Sequence, residues 1–373
     1  MNLKTGMNRF LILILAAGFH SMVLSQSVSE NKQDKLQLVR TDSLINISSG
    51  GKEIVELWGR VQLKQGEALL NCDHAVWWET DDQATLYGHV FIFDGKRELQ
   101  ADRVGYNGRE RIETADGNVI LTNPDRVLTA RQVIYRQEEE EAQASGDVLI
   151  RDILENLTLE AGHVFHKRQN DYSLAEHNPV LVRIDTASQD TLRIYGHMME
   201  VWGTEERAIT TDSVRIHKGD LSASCRRAEY RGGDETLVLT EQPRVTHRKQ
   251  IMTGDSIDVF LDTVHFKGAL IRGHAVIVST DSLYKDRLKG GRIRVESELD
   301  TVRKVIVENQ AESYYHIFNE EDVYEGTNMV TGDRIEMDFK EGALHKISVD
   351  SNPGQCTGIY TPDETGESRN LNR

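Results

Sequence analysis

A 29-residue repeat constrains this chain more than any other feature: Gly59, Gly88, Gly117 and Gly146 fall at that fixed interval. Their surroundings recur with them, as Trp58-Gly-Arg-Val-Gln-Leu63, Tyr87-Gly-His-Val-Phe-Ile92, Asp116-Gly-Asn-Val-Ile-Leu121 and Ser145-Gly-Asp-Val-Leu-Ile150. Fourteen residues after each glycine stands a second element. It reads Asn71-Cys-Asp-His-Ala-Val-Trp77, then Gln100-Ala-Asp-Arg-Val-Gly-Tyr106, then Thr129-Ala-Arg-Gln-Val-Ile-Tyr135. The fourth copy, around Leu159-Glu160, keeps the acidic register and loses the aromatic end. A fixed interval of this size marks units that stack on their neighbours and share one core.

Each unit reads as two strands. Val61 and Leu63, Val90 and Ile92, Val119 and Leu121, and Val148 and Ile150 alternate with a period of two, which puts them on one face. Turn residues separate the strands: Asp94-Gly95, Asn107-Gly108 and Asn123-Pro124-Asp125. The spacing predicts pairs of antiparallel strands of about ten residues each. Proline would remove ladder donors, and only 5 occur in 373 residues. A glycine inside a strand is otherwise costly, so the repeated one predicts a kink or bulge where the sheet bends onto its own face. The acidic run opening Glu138–Ala144 is the one stretch with a helical look, and the repeat predicts a solvated turn there instead.

After Phe165 the strict interval lapses while the phrases persist. Ser224-Cys-Arg-Arg-Ala-Glu-Tyr230 echoes the second element, and Thr253-Gly-Asp-Ser-Ile257, Lys289-Gly-Gly-Arg-Ile293 and Thr331-Gly-Asp-Arg-Ile335 are forms of one phrase. Gly196-His197 and Gly273-His274 match Gly88-His89. Ala275 and Ile277 extend the inward set into this half. The polar stretch 167–189 places a boundary near Asp185, giving segments 36–185 and 186–362 and a polar, disordered tail 363–373.

Lys4 and Arg9 precede an apolar run from Phe10 to Phe19, in the order of a secretory signal cleaved after Ser25. The run is short of the roughly 20 residues a membrane span needs. Residues 1–25 are thus read as a signal peptide and 26–35 as a disordered lead, which exports the mature chain. Cys72, Cys225 and Cys356 allow at most one disulfide and have no zinc-site spacing. With 44 basic against 60 acidic residues, the net charge of −16 excludes a nucleic-acid partner.

No enzyme motif emerges: there is no nucleophile elbow, phosphate loop or His-Glu-x-x-His. His163 and His166, three apart in a strand, fall on opposite faces and make no metal pair. Asp73, Asp102, Asp212, Asp255 and Asp333 recur with the repeat phrase and read as bulge residues accepting backbone N–H bonds rather than as catalytic acids. The aromatics Trp77, Trp78, Tyr87, Tyr106 and Tyr135 have the chemistry of a sugar platform, but their repeat-locked positions read as sheet packing. No catalytic residue, metal or cofactor is expected.

These phrases are similar to the OstA-like family of periplasmic lipopolysaccharide transport proteins, which includes LptA and the N-terminal domain of LptD. The family pattern, Gly-x-Val-x-apolar followed by apolar-x-Ala-Asp-x-Ala-x-Tyr, matches at Gly88 to Ile92 with Leu99 to Tyr106, and again in the Thr-Gly-Asp-x-Ile phrases. The closing Gly358-Ile-Tyr-Thr-Pro362 resembles the end of such a domain, so the resemblance covers roughly Leu36 to Pro362. It implies an all-β, elongated antiparallel V-shaped β-jellyroll built from repeated two-strand units. The mature length is about twice one such unit, which implies two in tandem. The chain lacks the C-terminal barrel of an LptD.

The resemblance implies a periplasmic lipid-binding bridge carrying lipopolysaccharide between inner and outer membrane, or a protein associated with the outer membrane. Lipid A acyl chains would lie between the two sheets. Partners would be other jellyroll domains of that machinery (inner-membrane LptC/LptF-like, outer-membrane LptD-like) and further copies joined head to tail. The lipid-facing residues would be Val61, Leu63, Val90, Ile92, Val119, Leu121, Val148, Ile150, Ala275 and Ile277. Burying acyl chains contributes about 0.8 kcal/mol per CH₂, so such a groove needs no charged contacts. The same repetition also fits a structural or adhesive β-solenoid without a ligand, or a polysaccharide-cleaving parallel β-helix. The hairpin turns oppose the parallel β-helix.

Overall fold

The computed structural model describes residues 37–49, 52–184, 190–261, 266–279, 284–319, 323–340, 343–352 and 354–362. The expected signal peptide, the segment after it, the expected boundary near Asp185 and the terminal segment 363–373 lie outside the described residues. Among the described residues every regular element is a strand apart from two short 3₁₀ turns, and every pairing described below is antiparallel. The all-β antiparallel class expected from the repeat is what forms. The chain divides into two compact units, one running up to Gln189 and resuming at Tyr195–Ala208, the other made of Asp190–Ile194 and the chain from Ile209 onward.

In the first unit, β1 (Gln37–Arg40) and β2 (Ser43–Ser49) both pair with β3 (Lys52–Gln65), β1 along its second half and β2 along its first. A meander follows through β4 (Ala68–Trp78), β5 (Gln83–Phe93), β6 (Glu98–Asn107) and β7 (Ile112–Thr122). It continues through β8 (Arg126–Arg136), β9 (Glu141–Asp152) and β10 (Leu157–Lys167). The far edge of β10 pairs with β11 (Tyr172–Glu176) and β12 (Val180–Ile184). The chain then supplies β13 (Thr191–Tyr195), all but its last residue in the second unit, before β14 (Met198–Trp202) of the first unit pairs with β11. The expected turns form: the Asp94 carboxylate accepts the N–H groups of Lys96 and Arg97, and Gly95 takes φ 91°. The acidic run is the turn before β9, as the repeat predicts.

The repeated glycines are corners. Gly59, Gly88, Gly117 and Gly146 have φ between 71° and 79°, and the ladders slip there, as between Tyr87 and Val90. The next residues, Arg60, His89, Asn118 and Asp147, are also left-handed. Two consecutive left-handed residues turn the strand sharply and let its two halves bury the same side: Leu86 before the corner, Val90 and Ile92 after it. No α-helix among the described residues is present to cover those faces, so the two halves cover each other. Each fully buried Val, Leu or Ile contributes about 1.5–3 kcal/mol.

The second unit uses the same device with the strands more often broken. It contains β15 (Arg207–Lys218), β16 (Leu221–Arg231), β17 (Thr236–Thr240), β18 (Arg244–His247), β19 (Gln250–Thr253) and β20 (Ser256–Leu261). There follow β21 (Phe266–Ser279), β22 (Arg287–Glu298), β23 (Thr301–Phe318), β24 (Tyr324–Lys340), β25 (Ala343–Asp350) and β26 (Thr357–Pro362). β17 and β18 both pair with β16, and β20 and β19 both pair with β21. Each such pair is one long strand interrupted at its corner. The core row Leu239, Ile257, Ile271, Ile293, Val307 and Ile335 is matched residue to residue across six strands and is 0% exposed throughout.

Candidate functional site

The apolar interior of the first unit is the candidate site. All eight residues nominated there by the period-of-two pattern face inward, and Ala275 and Ile277 do so in the second unit; the ten are at most 7% exposed. Sequence reasoning missed their cross-strand partners. Leu70, Leu99, Leu128 and Leu159 complete the row with Ile92, Leu121 and Ile150. The signal for them was present, because Leu stands three residues before Asp73, Asp102 and Arg131.

A strand bent at its middle brings both its ends to the side opposite the corner, so the interior has two lips. One lip is charged. Arg126 opens β8 and Asp152 closes β9, directly opposed on the inner face. Arg126 Nε donates to Asp152 Oδ2 at 2.8 Å with side chains only 5% and 2% exposed. Asp152 Oδ1 also accepts the Glu155 N–H at 2.9 Å, while Arg126 Nη1 is buried without a protein acceptor. Asp94 and Arg97 form a second, less buried pair at the neighbouring hairpin.

The other lip is aromatic. Trp77, Ala84, Tyr106, Glu113 and Tyr135 oppose one another in turn from β4 to β8, on the face that also carries Leu86, Val104 and Ala115. The row continues through Ala142 to His166 and Ser173, where His166 Nδ1 and Ser173 Oγ lie 2.9 Å apart. Glu113 is 7% exposed and accepts a 2.7 Å bond from Gln137 Nε2. Burial, with the negative charges of Asp82 and Glu113 nearby, raises the Tyr106 phenol above its usual range. Trp78 and Tyr87, nominated with these rings, lie on the opposite face. There Trp58, His74 and Tyr87 stack across three strands, with centroid separations of 3.6 and 5.3 Å.

Along the corner the recurring aspartates bond differently from expectation. They pair chiefly with side chains rather than backbone N–H groups. Asp73 lies 2.7 Å from His89 Nδ1, Asp102 accepts from Asn118 Nδ2 at 2.9 Å, and Asp255 lies 3.0 Å from His274 Nδ1. Asp212 faces Arg226 at 3.5 Å. Only Asp333 fits the expectation, accepting the Asn352 N–H at 3.1 Å. The reason is the left-handed residue after each corner glycine, whose side chain is thrown back over the facing aspartate. Asp73 thereby holds the His89 imidazole above its ordinary pKa. His163 is half-buried on the outer face and His166 buried on the inner, so they form no pair, and among the described residues no group of three or more ligating side chains is placed to hold a metal ion.

The three cysteines are free thiols. Burial raises Cys72 to about 11 and Cys225 to about 12, while Cys356 is exposed. The thiolate is the reactive form. At pH 8, therefore, a thiol reagent is expected to label one cysteine in the folded protein and all three after denaturation. Rapid labelling of three thiols in the native state would show that the interiors open.

Both ends of the chain carry one-sided strands. β1 and β2 pair only with β3, and β25 and β26 only with β24, among the described residues. Their apolar side chains are exposed: Val39 53% and Leu44 50% at one end, Ile359 58% and Tyr360 54% at the other. No helix among the described residues is long and apolar enough to cross a membrane.

Comparison with known proteins gives a match over part of the first unit. Residues 33–173 match the family model described as OstA-like protein. No curated protein matches the sequence. Among solved structures, the chain is similar to LptH, the LptA-homologous periplasmic component of the lipopolysaccharide transport device of Pseudomonas aeruginosa, at 12% identity and a TM-score of 0.21. That match covers 39% of this chain and 82% of LptH.

Proposed function

We propose, from the match of residues 33–173 to the OstA-like family model, that this protein is a periplasmic lipid-binding bridge for lipopolysaccharide. The observation that carries the reading is the repeat-built interior, aliphatic along its length and bounded by two lips without covalent closure. This interior is packed on its own side chains, so taking up acyl chains requires the lips to part. Tails would then replace side-chain contacts at about 0.8 kcal/mol per CH₂, with headgroups outside the aliphatic interior. On this reading the second unit is a further jellyroll of the same kind. The one-sided strands at either end would add the edge of another jellyroll domain of the machinery, or of a second copy, by backbone pairing. The interior offers no set of convergent acids suited to glycan cleavage, which favours transport over the enzyme reading.

The near-complete burial of the ten nominated residues specifically favours a second reading, a structural β-solenoid with a sealed core. Photo-crosslinking in intact cells separates the two. A probe at Val119, which is 1% exposed and inward, is expected to yield a lipopolysaccharide adduct; a probe at the exposed Asn118 next to it should not. A second inward probe at Val90 guards against a local folding defect. With the protein folded and exported, absence of adducts at both inward positions would establish the sealed solenoid instead.

A further inference from the structure

The aromatic lip is unlike the same row of the second unit. Four residues from the corner, the second unit carries one ring, Tyr230, facing the first of six aliphatic residues opposed in order, Leu237, Val259, Ala269, Val295, Val305 and Met337. These six are at most 8% exposed. The first unit places Trp77, Tyr106 and Tyr135 in this row, all half-buried, with Ala84 and Glu113 between them. Packing two sheet halves together does not require three rings and a carboxylate in one row, because the second unit achieves it with six aliphatic side chains and a single tyrosine.

The spacing is regular. Trp77 and Tyr106 flank the single methyl of Ala84, and Tyr106 and Tyr135 flank Glu113, each pair two strand spacings or about 9.5 Å apart. Half-buried aromatic rings beside a buried carboxylate make a site for a hydroxyl-rich ring. The rings offer apolar faces to its C–H groups, and the carboxylate accepts its hydroxyls. The local charge opposes an anion, since Asp82 and Glu113 lie near Tyr106. The rim arginines Arg109 and Arg111 are already paired with Asp81 and Glu138.

We propose that this lip is a saccharide subsite, at which Trp77, Tyr106 and Tyr135 stack an uncharged sugar ring of a bound amphiphile and Glu113 accepts its hydroxyls. The inference rests on the lipid-binding reading and extends it: the first unit reads the headgroup as well as the tails, whereas the second unit holds tails only.

The test uses the purified full chain and two detergents with the same tail, n-dodecyl maltoside and dodecylphosphocholine, each titrated below its micelle concentration. Binding is followed by calorimetry. The maltoside is expected to bind about tenfold more tightly, the scale of one or two aromatic contacts. Tyr106→Leu and Tyr135→Leu keep apolar volume and remove the rings. Each is expected to abolish most of that preference while leaving dodecylphosphocholine affinity unchanged, with circular dichroism confirming the fold. Equal affinity for the two detergents, or a preference untouched by both substitutions, overturns the saccharide subsite and leaves the lipid-binding reading standing. Binding of neither detergent overturns both.

Discussion

Replacing Asp152 by Ala is expected to destabilise the first unit by about 3–5 kcal/mol, the usual consequence of stranding one member of a buried ion pair. Arg126 would keep its charge at 5% exposure with no counter-ion, and the Glu155 N–H would lose its acceptor at the β9–β10 turn. The double substitution Arg126→Met with Asp152→Leu is expected to recover most of the loss. It removes both charges and returns their desolvation cost, as replacing buried pairs by apolar residues often does. Tryptophan fluorescence during urea unfolding measures this cleanly, because Trp58, Trp77, Trp78 and Trp202 are the four tryptophans of the chain and all belong to the first unit. A loss under about 1 kcal/mol, as for an exposed pair, would mean that the charged lip stands open to water. The lip would then need no opening step before lipid entry.

Gly88→Val is expected to cost about 2–4 kcal/mol on the same signal. A β-branched residue is poorly tolerated at φ 71°, where even an ordinary side chain meets its own carbonyl. A Cβ there would also stand 3.0 Å from the Asp73 Cβ and closer still to its carboxylate. The corner would have to unbend or Asp73 would have to release His89. Should Gly88→Val unfold at the same urea concentration as the parent, the left-handed corner is not what fixes the bend. The packing of the two halves would then suffice.

Much of this was legible in the chain because the repeat states it several times. The strands, their inward residues and the corner glycines all follow from a period of two interrupted every 29 residues. The second half was harder to read for a specific reason. Gly273-His274 keeps the glycine, but three of that half's corners use pairs without it, Asp212-Ser213, Glu241-Gln242 and Asn309-Gln310, each with both residues at positive φ. Short polar side chains tolerate that region, so the glycine marker vanishes while the bend remains. The bonding of the recurring aspartates was misjudged on similar grounds. A sequence cannot show that the residue after the glycine is also left-handed and that its side chain folds back.

Local rules therefore settled what depends on nearest neighbours. Alternation chose the buried face, Asp-Gly and Asn-Gly chose the hairpins, and few prolines allowed long ladders. Only the tertiary structure decided what depends on residues brought together across strands. The buried pairing of Arg126 with Asp152 joins residues 26 apart. The lip row joins Trp77 to Tyr135 through three intervening strands. In sequence those aromatics share one repeat position with Trp78 and Tyr87 close by, and nothing local separates a ring at the lip from one on the outer sheet. Bending each strand at its corner makes that separation, because it gives the sheet an inside.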